Sequence, residues 1–291
     1  MSGRASIARL AAWIIIGHLA APALLRADQV RDWMFTIQPP GTYLNTDVVL
    51  PGLQAQIEHR IPVFGQLNEL DLKANVLPTL FYAESQADVD FRVLIFTFGG
   101  SAGVRDTFGN LTFDPGKPFD HKARRRAEDK GDYENAFTGF AEGRITLSLP
   151  FNDWMALQSV NSMRYEGGAD RTFDWRMGIV RDSGVYWRTN NTFFFHHRKF
   201  GAIGPQLEIL SYKFDGQRNT DVNFGFTFVG RVGLRKRFDL FYLTTLLGVT
   251  GEVNGVERSK VYGDHYFGVP LTIIAAYRIV WELGTPAKPG D

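Results

Sequence analysis

Residues 222–228 read Val-Asn-Phe-Gly-Phe-Thr-Phe, and the same beat of two continues through Arg231, Val232, Leu234 and Arg235. Successive side chains of a β-strand point to opposite faces. This segment therefore has one face of Phe224, Phe226 and Phe228 and another of Asn223, Gly225 and Thr227. A helix, with its period of 3.6, would mix the two sets.

The pattern recurs on both sides of this stretch. Leu53, Ala55, Ile57 and Ile61 alternate with Gln54, Gln56, Glu58 and Arg60. Leu70, Leu72, Ala74 and Val76 alternate with Glu69, Asp71, Lys73 and Asn75, and Val89, Phe91 and Val93 with Asp88, Asp90 and Arg92. Ile145, Leu147 and Leu149 alternate with Arg144, Thr146 and Ser148; Tyr277, Ile279 and Trp281 alternate with Arg278 and Glu282. The expected strands number about twelve, within a range of ten to fourteen: 53–61, 69–82, 88–98, 104–113, 136–149, 154–165, 172–181, 185–197, 203–214, 220–235, 238–250 and 266–283. Turn signals separate them, among them Gly99-Gly100, Pro150–Asp153 and Lys236–Asp239, and two longer polar loops fall near 114–135 and 251–264. The turns at 150–153 and 236–239 should lie at the same edge of the sheet. An odd number of expected strands separates them, so one strand is surplus or one is missing.

Residues 1–27 read as a secretory signal peptide: Arg4 and Arg9, a short apolar run from Leu10 to Leu25, and Ala27 at a cleavage site before Asp28. The alternative is an uncleaved N-terminal anchor. Cleavage leaves 29 basic and 31 acidic side chains, a net charge of −2 against +1 for the full chain. Neither value gives the basic field that nucleic acid requires. The absence of Cys excludes disulfide frameworks, thiolate metal sites and thiol nucleophiles. Residues 28–51, with Pro39-Pro40, Gly41 and Pro51, read as an irregular N-terminal segment. Strands over 52–283 follow, then a short polar tail, 284–291. No later apolar run is long enough for a membrane helix.

Three features favour an all-β, antiparallel up-and-down barrel in a membrane over a soluble secreted β-sheet protein. Charge collects on one face of many strands while Phe, Leu, Ile and Trp hold the other. Aromatics gather near strand ends, as at Tyr186-Trp187, Tyr266-Phe267 and Trp281. Many strands exceed the roughly 9–11 residues that a tilted spanning strand needs. From about residue 52 onward the chain resembles the bacterial outer-membrane β-barrel class. Its last strand, with Tyr277, Ile279 and Trp281, resembles the C-terminal signal that such proteins present to the barrel-assembly machinery. It departs from that signal in the residues that follow, Gly284–Asp291. The resemblance implies a Gram-negative outer-membrane location and contact with outer-membrane lipids and lipopolysaccharide.

On this reading Glu69, Asp71, Lys73, Glu142, Arg144, Arg231, Arg235, Arg278 and Glu282 face the lumen. A narrow lumen with both signs favours ion pairs over an open pore. Lys122, Arg124, Arg125 and Arg126 form a basic cluster in the 114–135 loop, either a solvated run or a partner for lipopolysaccharide phosphates.

Other motifs are weaker. Gly99-Gly100-Ser101-Ala102-Gly103 matches G-x-S-x-G, but no helix follows it, and a small-residue hairpin turn is the expectation. His196 and His197 are adjacent on a strand and point apart, which disfavours a shared metal. No catalytic residue, metal or cofactor is assigned. The expected function is non-enzymatic: a narrow channel, or a structural or surface-binding barrel, with a possibly plugged lumen. The alternatives are a barrel enzyme acting on lipid or peptide at the rim, and a soluble secreted binder.

Overall fold

A computed structural model describes residues 40–49, 52–63, 68–80, 82–111, 129–130, 133–168, 170, 172–174, 179–197, 201–214, 216–231, 240–249, 252–253, 256–257 and 271–284. The strands in chain order are β1 (Gly41–Val49), β2 (Gly52–Pro62), β3 (Asn68–Pro78), β4 (Tyr82–Val93), β5 (Phe96–Leu111), β6 (Tyr133–Asn152), β7 (Met155–Gly167), β8 (Thr172–Asp174), β9 (Ile179–Arg181), β10 (Gly184–His197), β11 (Gly201–Phe214), β12 (Gln217–Arg231), β13 (Leu240–Gly248), β14 (Glu252–Val253), β15 (Val256–Glu257) and β16 (Leu271–Gly284). Twelve of them close into one barrel in which consecutive spanning strands pair antiparallel and β1 pairs with β16. The pairs β8–β9 and β14–β15 are small separate hairpins within two of the longer connections. Each of the twelve strands has a paired neighbour on both sides, so the barrel has no edge strand.

The barrel is inside out relative to a soluble protein. Large apolar side chains such as Ile57, Val76, Phe98, Ile145, Phe226 and Ile273 are exposed on its outside. Glu58, Glu69, Asp71, Asp88, Arg105, Arg164 and Glu166 are buried within it. That is the polarity the alternation in the sequence requires.

The strand count of twelve holds, but through two compensating differences. The segment 172–181 does not span the barrel; it forms the short hairpin β8–β9. The stretch 28–51, expected to be irregular, contains the spanning strand β1 from Gly41. Punctuation by Pro40 and Pro51 hides β1 in the sequence, and its pairing with β16 closes the barrel. Removing 172–181 also settles the parity problem. Four spanning strands, β7, β10, β11 and β12, separate the turn at 153–154 from the end of β12, so the end of β6 and the end of β12 lie at the same end of the barrel.

A third correction concerns β4 and β5. They are joined by a two-residue turn at Leu94-Ile95, and Leu94 adopts a left-handed backbone (φ 56°). A leucine rarely takes that conformation, so nothing in the sequence announces the turn. Gly99–Gly103, expected as the turn, lies inside β5 instead.

Candidate functional site

The inner wall is polar and charged, and its residues come from known rows of the ladder. Arg144 of β6, Gly99 of β5 and Asp90 of β4 stand in one row. A Cβ at Gly99 would lie 2.3 Å from Asp90 Oδ1 and 2.6 Å from Arg144 Nε. Glycine therefore lets the guanidinium cross the strand. Arg144 Nη2 donates to Asp90 Oδ1 at 2.7 Å and Nη1 to Asp88 Oδ1 at 3.3 Å. Lys73 Nζ donates to the other oxygen of Asp90 at 2.8 Å. Two rows further on, Gly103 makes the same kind of room for the ring of Phe140. The G-x-S-x-G string is thus a strand whose inward glycines admit large neighbours. Ser101 has no strand–turn–helix setting to make it a nucleophile.

Toward the end with the longer connections, Arg105 ties three strands together. It donates to Glu84 Oε2 at 2.6 Å from Nη2 and to Glu166 Oε1 at 3.0 Å from Nη1. Arg164 donates to Glu166 Oε2 at 3.1 Å from Nε, and its guanidinium lies 3.5 Å from the centre of the Phe140 ring. Thr138 Oγ1 donates to Glu166 at 3.2 Å. Arg164 and Glu166 are each only 1% exposed. A charge so enclosed is tolerable only when paired and hydrogen-bonded.

The expected lumen residues fall as follows. Glu69 is inward and accepts from Arg92 at 3.2 Å. Asp71 is inward, 3.9 Å from Arg60, which also pairs with Glu58 at 2.8 Å. Lys73 and Arg144 meet at Asp90. Glu142 lies 3.9 Å from both Arg144 and Arg164. Arg278 joins β16 to β1 through Asp47, at 2.7 and 2.8 Å. Glu282 is exposed near the end of β16. Arg231 ends β12; Arg235 and the loop cluster Lys122, Arg124, Arg125 and Arg126 lie outside the described residues, as do 1–39. His196 and His197 occupy successive positions of β10, where neighbouring side chains take opposite faces.

Sequence reading left out Glu84, Arg105, Arg164, Glu166, Arg188 and Glu208. Arg105 follows Gly99, Ser101 and Gly103 on the same face, and small residues hid the period there. On β7 the outward face carries Ser159 and Asn161, which blurred its contrast with Arg164 and Glu166.

The opposite side of the lumen, β10 to β13, is lined mainly by amides, hydroxyls and rings. Thr227 donates to Gln206 Oε1 and shares a 2.9 Å hydrogen bond with Thr244. Asn223 donates to Glu208 at 2.9 Å, and Glu208 also pairs with Arg188. A cavity of about 430 Å³ lies against this side, bounded by Gln158, Tyr186, Asn190, Phe194, Gln206 and Tyr242 and reached by Arg144 and Arg188. At the mouth, outside the spanning strands, Ser183 donates to Asp170 Oδ1 from its hydroxyl at 2.6 Å and its amide at 2.8 Å. These bonds hold the Asp170 carboxyl below the usual carboxylate range.

A closed antiparallel barrel with an apolar outside and an ion-paired inside has the architecture of the outer-membrane β-barrel class. No protein-family model matches the chain, and no curated protein matches it. Among solved structures it is similar to the KdgM porin, at 9% identity and a TM-score of 0.33, over 82% of this chain and 95% of that one. It is similar to the NanC porin at 9% identity and 0.37, over 84% and 100%. It is also similar to CdiB from Acinetobacter baumannii at 10% identity and 0.43, over 87% of this chain and 52% of that one.

Proposed function

We propose that the mature chain is a non-enzymatic outer-membrane barrel whose lumen is a narrow, charge-lined passage, closed to sugar-sized solutes by its own ion pairs. The observation that carries this reading is the row of charged side chains reaching inward from β2 to β7. Arg105, Arg144 and Arg164 each bind carboxylates on strands other than their own. Long paired side chains occupy lumen volume that short ones would leave to water.

The membrane part of the proposal follows from the outside. A belt of Leu, Ile, Val and Phe side chains suits hydrocarbon, and a closed ladder satisfies the backbone without water. Short turns normally face the periplasm in such barrels, which puts the Arg105–Glu166 cluster toward the outer surface. The 1–27 segment then serves for export and the assembly machinery inserts the barrel. Outer-membrane lipids and lipopolysaccharide surround it, and lipopolysaccharide phosphates suit the cations Lys122, Arg124, Arg125 and Arg126.

Swelling of liposomes loaded with the purified mature protein tests the closed lumen. No swelling in isosmotic sugars is expected. Swelling at the rate of an open porin would overturn the reading.

A further inference from the structure

The outer surface of the barrel is not uniformly apolar. At the middle of β7 and β10, Ser159, Asn161, Thr189 and Asn191 point outward, on the same faces as Met163, Tyr165, Trp187 and Phe195. Asn161 stands opposite Thr189, and Ser159 opposite Asn191. Thr189 Oγ1 donates to Asn161 Oδ1 at 2.9 Å, and Asn161 Nδ2 donates to Ser159 Oγ at 3.2 Å. Apolar residues enclose this island. Ile145 and Leu147 flank it on β6, and Leu207 and Ile209 on β11. Trp187 and Tyr165 lie toward one end, Phe193 and Phe195 toward the other. The island therefore sits at the level of the apolar belt, where primary amides are costly unless they find partners. The Asn191 side chain has no hydrogen bond among the described residues.

A second observation lies beside the island. On β6 the outward positions next to β7 are Gly139, Ala141 and Gly143, and Gly143 stands opposite Met163. A Cβ built at Gly139 or Gly143 would meet nothing within 4 Å. Packing inside the protomer therefore gives no reason for glycine at either position. Small residues on a membrane face let another protein surface approach closely, and polar groups there are satisfied by that surface.

We infer that the β6–β7–β10 face is where two copies of this chain meet in the membrane; the inference rests on the membrane reading but is independent of the closed lumen. A second copy fits because the patch is self-complementary. Each amide both donates and accepts. A two-fold axis along the membrane normal keeps every residue at its own depth, so Asn161 and Asn191 meet their counterparts at the same level. The approach surface of Gly139, Ala141 and Gly143 brings them within reach.

The chain contains no cysteine, so one introduced thiol reports cleanly. The test uses the full-length protein in its own membranes, with Asn161→Cys on the patch and Thr245→Cys on the outward face of β13. Mild oxidation is expected to give a covalent dimer from Asn161→Cys and none from Thr245→Cys. In detergent, the double variant Asn161→Leu with Asn191→Leu should keep its folded gel mobility. Its dimer dissociation constant should rise by about tenfold, the scale of one or two polar contacts made in a membrane. Gly143→Leu should weaken the dimer without loss of folding.

Labelling with maleimides separates the two readings. If a water-soluble maleimide modifies both thiols freely, the membrane reading fails. If only a lipid-soluble maleimide reacts and no cross-link forms, or if Asn161→Cys cross-links to a different protein, the dimer is overturned. A dimer that persists unchanged in the double leucine variant overturns it as well.

Discussion

The two sides of the lumen satisfy their inward groups by different means. From β2 to β6 the inward face carries most of the paired charge, and Arg60, Lys73, Arg92, Arg105 and Arg144 bind carboxylates across strands. From β10 to β13 the inward groups are mostly neutral amides, hydroxyls and rings, held by bonds such as Thr227 to Gln206 and Thr244. The cavity of about 430 Å³ is bordered on that side by Tyr186, Asn190, Thr192, Gln206 and Tyr242, and Glu142 and Arg144 of β6 reach it from the charged side.

The charged side should be the more fragile. Arg105→Ala takes from buried Glu84 its closest cation and from buried Glu166 one of its two, leaving Arg164 beside both, and breaking a buried pair costs about 3–5 kcal/mol. Urea unfolding in detergent should show a loss of that size. A change no larger than that of a surface variant would mean that water already screens the cluster.

Strand β12 allows the two faces to be compared one residue apart. Phe226→Arg, outward and exposed, should cost about 2–4 kcal/mol in a bilayer if it lies near mid-depth. Thr227→Val, inward and 2% exposed, removes the Gln206 and Thr244 hydrogen bonds at a cost of about 1 kcal/mol. Refolding titrations into vesicles measure both. A reversed order would place the membrane on the wrong side of the wall.

Much of this contrast was legible from period alone. Glu69, Asp71, Lys73 and Arg144 take the inward face because alternation leaves them no other, and Phe224 and Phe226 take the outward one. The partners were not legible. Arg105 meets Glu166 from 61 residues away, a distance only the register of three strands can set. Local signals misled in three places. Prolines around 41–49 masked a strand that tertiary pairing stabilises, Leu94 makes a turn without a turn residue, and 172–181 has strand-like composition but supplies only the three-residue strands β8 and β9, which pair with each other. Gly99 and Gly103 read as turn formers when their role is to clear space for Arg144 and Phe140.

The smallest expected effect lies at the mouth, where neutral donors hold a carboxylate that solvent can reach. Asp170 is kept below the usual range by the Ser183 hydroxyl and amide, so its stabilisation is present above its unfolded-state pKa and is lost as pH falls through the folded value. Ser183→Ala should move the Asp170 titration upward by NMR and leave the unfolding midpoint at neutral pH nearly unchanged. An unmoved titration would show that the amide alone sets it.

The central claim is that ion pairs from the charged side close the lumen. Single-channel recording of the purified mature protein in planar bilayers tests it most directly, comparing wild type with the Lys73→Ala, Arg144→Ala double variant. The account predicts little or no conductance in the wild type and a measurable rise in the variant, which removes both cations from Asp90. A large, stable conductance in the wild type would contradict it and make the lumen an open pore.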